Sequence, residues 1–327
     1  MSSAFGLGPL PGTSIAEACD VVRSETGVLP HLPELPERGA ASGLIGRGAT
    51  LLEGLQAEPG PRAWQLTTRP QLATHRALDR LEADLDECES AWGTSVPRVK
   101  VQAPGPWTLA AALELPNGHR AITDPGALRD LTEALAGGLL AHVREVARRF
   151  SADVTVQLDE PALAAVHSGS LRGTTDFEVI PAVAEADLAQ RLRQVSEAVA
   201  DAAEAVWLDL ADVTPLWQVA REAGTDAVLV NTVRLRGTQQ LDAVGHAIAG
   251  GAQVHLSVDG AGEPRAEAIR LARLFDELGL PREMLTGVSV FPLPTWQGRG
   301  RPIIEAAHAY ALATEVAGML ERDAGDL

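Results

Sequence analysis

From residue 154 onward the chain alternates short runs of β-branched or aliphatic residues with longer stretches at helical spacing. The runs 154–158, 205–210, 227–231, 253–258 and 288–291 read as strands. The intervening 187–203, 215–223, 238–249 and 265–278 read as amphipathic helices. Such alternation is the pattern of βα units around a parallel sheet. Ahead of the first of these strands, Leu128, Leu131, Leu135, Leu139, Val143 and Val146 recur every three or four positions and predict one buried helix face. The first half is less regular. A strand at 5–8 runs into the turn Pro9-Leu-Pro-Gly-Thr and a helix capped by Thr13 or Ser14. A Pro/Gly-rich excursion follows over 27–48. A further strand, 99–102, ends at Pro104-Gly-Pro-Trp-Thr.

No repeat beyond the βα rhythm, no low-complexity tract and no linker interrupts the 327 residues, so the expectation is one domain over 1–327. The fold class expected is α/β, a (β/α)8 barrel with irregular N-terminal excursions. In such a barrel, function gathers at the C-terminal ends of the strands and the loops just after them. That rule selects 9–13, 105–108, 157–161, 207–212, 231–234, 255–259 and 292–297. The loops 168–175 and 259–263 are the candidates for mobile surface segments.

Composition narrows the partners. A formal net charge of −17 leaves no Lys/Arg cluster to neutralise phosphates, so nucleic acid and anionic membranes are disfavoured. The same acidity disfavours a polyanionic substrate and favours a small neutral or zwitterionic ligand. A protein partner is neither indicated nor excluded. No run of about 18 apolar residues occurs, and the start lacks a basic segment followed by an apolar one, which points to a cytoplasmic protein. Cys19 and Cys88 show no disulfide framework and no metal spacing, in keeping with a reducing compartment. The single lysine, Lys100, reads as compositional bias.

The most informative string is Val156-Gln-Leu-Asp-Glu-Pro-Ala-Leu163. Neighbouring side chains on a strand face opposite ways, so Asp159 and Glu160 cannot share a cavity unless the strand bends. One is expected to contact ligand and the other to brace a loop. The octet resembles the Q-[IVL]-D-E-P-A-L signature of cobalamin-independent methionine synthases. Gly8-Pro-Leu-Pro-Gly-Thr13 resembles that family's opening loop, and Ala103-Pro-Gly-Pro-Trp-Thr108 its G-P-[VW]-T turn. Residues from Val288 through Pro292 into the last helix resemble its closing strand, loop and helix. The matches run in order over nearly the whole chain, which has the length of the catalytic half alone.

The resemblance implies methyl transfer to a thiol activated on zinc, because a metal-bound thiol loses its proton near neutral pH. Its His-x-Cys ligand pair falls here on Trp207-Leu-Asp209, its Glu on Asn231 and its last Cys on Pro294. No cysteine follows Cys88. The expectation is therefore no zinc and no other cofactor. The family's opening serine is also replaced, by Pro9. What remains suits an amino-acid-like ligand or an aromatic ring. Asp159 matches the aspartate that the resemblance places near a substrate amine, and Glu34 is a second candidate acid. Gln157, Glu160, Asp209 and Asn231 sit at strand ends as further binding candidates. Trp107, Trp207 and Trp296 are candidate aromatic walls, with Trp207 and Trp296 alternatively filling the metal's space. His31, in a proline-rich loop able to reach over the barrel mouth, is the candidate proton carrier; a structural role is its alternative. His255 is expected to pack or hydrogen-bond within a strand. Two functions follow: a zinc-independent methyl or related group transferase, or an inactive relative that binds or regulates.

Overall fold

The computed structural model describes residues 2–175, 178–210, 216–294 and 300–327. Helix α1 (Ile15–Glu25) starts where the Ser14 hydroxyl accepts from the Glu17 amide, which settles the choice of cap. Helix α2 (Leu44–Thr50) and an antiparallel hairpin, β1 (Gln56–Pro59) with β2 (Trp64–Thr67), lead to the long α3 (Leu72–Trp92). Then come β3 (Arg98–Pro104), α4 (Pro106–Ala112), α5 (Pro125–Phe150), β4 (Asp153–Asp159), α6 (Leu163–Ser168) and α7 (Glu185–Val199). The second half adds β5 (Ala205–Asp209), α8 (Trp217–Glu222), β6 (Ala227–Val230), α9 (Gly237–Ala249) and β7 (Val254–Val258). It ends with α10 (Pro264–Glu277), β8 (Val290–Pro292) and α11 (Ile304–Asp323).

Helix α5 carries the predicted face. Its six aliphatic positions are all buried, Pro125 occupies the first turn, and the Asp124 carboxylate accepts from the Gly126 and Ala127 amides. The hairpin and the full length of α3 lack a clear period in sequence and were not foreseen.

Among the described residues the main sheet is parallel, with strands in the order β3-β4-β5-β6-β7-β8. The expected count of eight is corrected to six. Two N-terminal stretches stand where the other two strands would lie, each held only by isolated bridges: Ala4 to Val290, Pro9 to Glu34, and His31 to Lys100. The reason is chemical. Pro9, Pro11, Pro30, Pro33 and Pro36 have no amide hydrogen, so a continuous ladder cannot form along either stretch. The bonds that do form are good ones, such as Leu10 to the Glu34 carbonyl at 2.8 Å and Lys100 to the Pro30 carbonyl at 2.8 Å.

The pleat divides each strand. Val154, Val156 and Leu158 of β4, with Val206 and Leu208 of β5, join the large core under the helices. On the other face Trp207, Ala227, Leu229 and Phe291 join Phe5 and Leu29 in a separate cluster inside the curl of the sheet. No helix among the described residues is long and apolar enough to cross a membrane.

Candidate functional site

The inner face of β3 and β4 is polar, and its groups form a chain. The Lys100 ammonium, fully buried, donates to Gln157 Oε1 at 2.7 Å and to Gln102 Oε1 at 3.3 Å. Gln102 Nε2 donates onward to the Leu32 carbonyl at 2.6 Å. Gln157 Nε2 donates to the Leu7 carbonyl at 3.1 Å and to Asp159 Oδ1 at 2.6 Å. The lysine thus fixes which way the Gln157 amide points, and the amide in turn holds Asp159. Burial draws the lysine down to about 8, while Asp159, Glu34 and Asp209 pull the other way by their charge. Burial pushes the Asp159 carboxyl well above its ordinary range, and the negative charge of Asp209 adds to the rise.

Asp159 and Asp209 are register partners at the C-terminal ends of β4 and β5. Equivalent positions on adjacent parallel strands share a face, so the two carboxylates stand side by side. Glu34, almost wholly buried, reaches the same region and pairs with the Arg47 guanidinium of α2 at 3.1 Å. Below the carboxylates lies an apolar floor. The Trp207 indole lies 4.8 Å from the Phe5 ring and 4.2 Å from the His255 ring, centroid to centroid. His255 packs rather than bonds. Both ring nitrogens are buried with no partner among the described residues, and burial draws its pKa down to about 3. The ring is therefore neutral near pH 7.

Glu160 faces the other way. Its carboxylate accepts from the Trp107 amide at 2.9 Å, the Thr108 amide at 2.8 Å and the Thr108 hydroxyl at 2.6 Å. These are first-turn donors of α4, which have no partner within the helix. Burial raises this carboxyl to about 7 against the pull of those three bonds. Gly105 makes the contact possible, since a Cβ there would sit 2.2 Å from Glu160 Oε1. The Gly-Pro-Trp-Thr turn and the Asp-Glu-Pro string are thus two halves of one joint. Trp107 belongs to the joint and not to the cavity: its indole donates to the Leu188 carbonyl of α7 at 3.0 Å.

His31 does not reach over the mouth. It is fully buried, with Nε2 3.3 Å from the Tyr310 hydroxyl of α11 and Nδ1 without a partner among the described residues. Gly6 leaves room for this contact, as a Cβ there would fall 2.3 Å from the imidazole. Asn231 follows β6 and accepts from the Ser257 hydroxyl at 3.4 Å and the Arg234 amide at 3.2 Å. Trp296 lies outside the described residues. The structure therefore gathers Asp159, Gln157, Glu34, Asp209 and Trp207 with the unforeseen Lys100, Gln102, Phe5 and Arg47. It separates Glu160 and Trp107 from them, and it holds His31 beside Lys100 but turned against Tyr310. Lys100 had one legible signal, a cation set between two valines of a strand.

Residues 91–209 match the family model described as "Cobalamin-independent synthase, Catalytic domain". That span runs from α3 through the joint to Asp209. Over that segment the chain is similar to the cobalamin-independent synthases. Two solved structures share the fold along nearly the whole length. One is a methyltransferase from Methanosarcina mazei, 13% identical, covering 94% of this chain and 93% of that one, with a TM-score of 0.51. The other is a B12-independent methionine synthase from Shewanella sp. W3-18-1 in complex with selenomethionine, 9% identical, covering 98% of each chain, with a TM-score of 0.54. No curated protein matches the chain.

The residues at the positions that the synthase resemblance assigns to zinc do not suit that ion. Trp207 offers no lone pair and is packed between Phe5 and His255. Pro294 offers none from its side chain. Asp209 and Asn231 bring only oxygen, whereas zinc sites of this kind rest on thiolate and imidazole. Among the described residues no group of three or more His, Cys, Asp or Glu side chains is placed to hold a metal.

Proposed function

We propose that this synthase-like chain binds a small amino-acid-like ligand carrying an ammonium group at the C-terminal mouth of the sheet. It would transfer a methyl or related group without protein-bound zinc. The observation that carries the reading is the Asp159–Asp209 register pair. Glu34, Lys100 and Arg47 lie in the same region, so the site is rich in carboxylate beside buried cations. A ligand ammonium would be held there by charge-assisted hydrogen bonds to the paired carboxyl groups. Gln157 holds Asp159 through Oδ1 and so orients the carboxyl group. Trp207 and Phe5 supply an apolar wall for a side chain or ring. The selenomethionine in the Shewanella structure supports this class of ligand.

L-methionine titrated calorimetrically into the wild type should bind at pH 7, and Asp159→Asn should weaken it at least about tenfold, which is roughly 1.4 kcal/mol. No binding by the folded wild type, or equal binding by the variant, overturns the reading. A second reading, a binding or regulatory protein without turnover, gains from one observation. His31, the proton carrier expected from sequence, is locked against Tyr310. Ligand binding with no product from methyl-folate or adenosyl donors and thiol acceptors would favour that second reading.

A further inference from the structure

Cys19 and Cys88 are 69 positions apart in sequence, yet their sulfurs lie 3.3 Å apart between α1 and α3. The sequence spacing gave no sign of this meeting. Both thiols are free and buried, at 0% and 1% exposure. The Trp92 indole, one turn beyond Cys88, donates to the Cys19 carbonyl at 3.0 Å and fixes the two helices against each other at this level. A disulfide needs the sulfurs to close to about 2.05 Å. From 3.3 Å this asks for about 1.3 Å of approach.

We infer that Cys19 and Cys88 form a dithiol site that a small neutral peroxide converts to a disulfide tying α1 to α3. The thiolate of one cysteine attacks a peroxide oxygen, giving a sulfenic acid and releasing hydroxide, which takes up the departed proton as water. The second thiolate then attacks the sulfenic sulfur and expels its oxygen as a second water. In sum, two thiols and one hydrogen peroxide give one disulfide and two waters. The two thiols are oxidised by two electrons and the peroxide is reduced by two. Burial sets the oxidant class. Hydrogen peroxide is the size of a solvent molecule, whereas glutathione disulfide would leave a tripeptide adduct in a packed layer. The Cys88 thiol is also held in its protonated form, first by its contact with Cys19 and then by burial. Reaction is accordingly slow, which makes the pair a durable cross-link and not a fast sensor.

The tie would act on the site's supports. Helix α1 continues directly from the stretch whose Pro9 bridges Glu34. On α3, Asp84 lies one turn before Cys88 and pairs with Arg38, just past Glu34, at 2.5 Å.

The test treats the folded full chain with millimolar hydrogen peroxide, then alkylates remaining thiols in denaturant and measures intact mass and linked peptides. The expected result is loss of two hydrogens, a single peptide joining Cys19 to Cys88, and a melting temperature raised by several degrees that dithiothreitol reverses. Glutathione disulfide in the same buffer should leave both thiols alkylatable. Cys88→Ser should instead accumulate oxygen on Cys19 and lose the rise in melting temperature. Two free thiols after peroxide, or sulfinic acid on either cysteine of the wild type without a cross-link, would overturn the proposal. Equally fast closure by glutathione disulfide would overturn its assignment to peroxide.

Discussion

The imidazoles show how burial alone writes a pH response. His255 and His142 are drawn down to about 3 and about 4, in both cases mainly by burial. A histidine free in the unfolded chain holds its proton up to about pH 6.5. Between these values the unfolded state binds more protons, so stability is present above pH 6.5 and is lost as pH falls through the window. Each histidine contributes a slope of up to about 1.4 kcal/mol per pH unit there. Replacing His255 by Phe removes two orphaned ring nitrogens and one such slope. His255→Phe should match the wild type within about 1 kcal/mol at pH 7.5 and exceed it at pH 5, as urea melts at both pH values would show. The strand pattern around residue 255 told that this ring would face a packed wall. It could not tell that no partner waits there, since that depends on what Trp207 and Phe5 bring from distant strands.

At the scale of elements, the joint between β4 and α4 governs which half of the Asp-Glu pair meets ligand. The alternation of a strand said that the two carboxylates separate, and they do: Asp159 reaches Gln157 inside and Glu160 reaches the first turn of α4 outside. Which faces which was not legible, because the deciding partner is a pair of amides 52 to 53 residues earlier. Gly105→Ala tests the joint. The added methyl would meet the Glu160 carboxylate and push it off the Trp107 and Thr108 amides. Overpacking together with the lost charged bonds should cost about 1–3 kcal/mol in a urea melt. Since β4 ends at the displaced residue, methionine binding should weaken as well. The fold class was readable wherever strands carry uninterrupted β-branched runs. It was misread in the two N-terminal stretches, where prolines allow extended backbone but not a ladder.

For the whole molecule, the charge of −17 and the carboxyl groups gathered on β4 and β5 act in the same sense. On the reading proposed above, a cationic or zwitterionic ligand would be drawn toward the sheet's open end and a polyanion repelled from it. The cohesion of the molecule is uneven. Six strands share continuous ladders, while the extended stretches before and after α1 meet the sheet by single bridges, Ala4 on Val290 and His31 on Lys100.

Those few fastenings have a consequence for the order in which the protein is made. Joining Ala4 to Val290 closes a loop of 286 residues on one bridge, and such a closure gains little until the sheet that receives it already exists. The six-stranded sheet would assemble first and the N-terminal stretches would seat last, bringing Glu34 to the carboxylates of β4 and β5 only then. Native-state hydrogen exchange should find the amides of Phe5, Leu10 and Glu34 opening at lower free energy than those of Val156 and Leu208. Uniform protection across both groups would count against this order. A nascent chain could dock α1 on α3 early, but the stretch around Ala4 would wait for Val290, so the first residues would seat last.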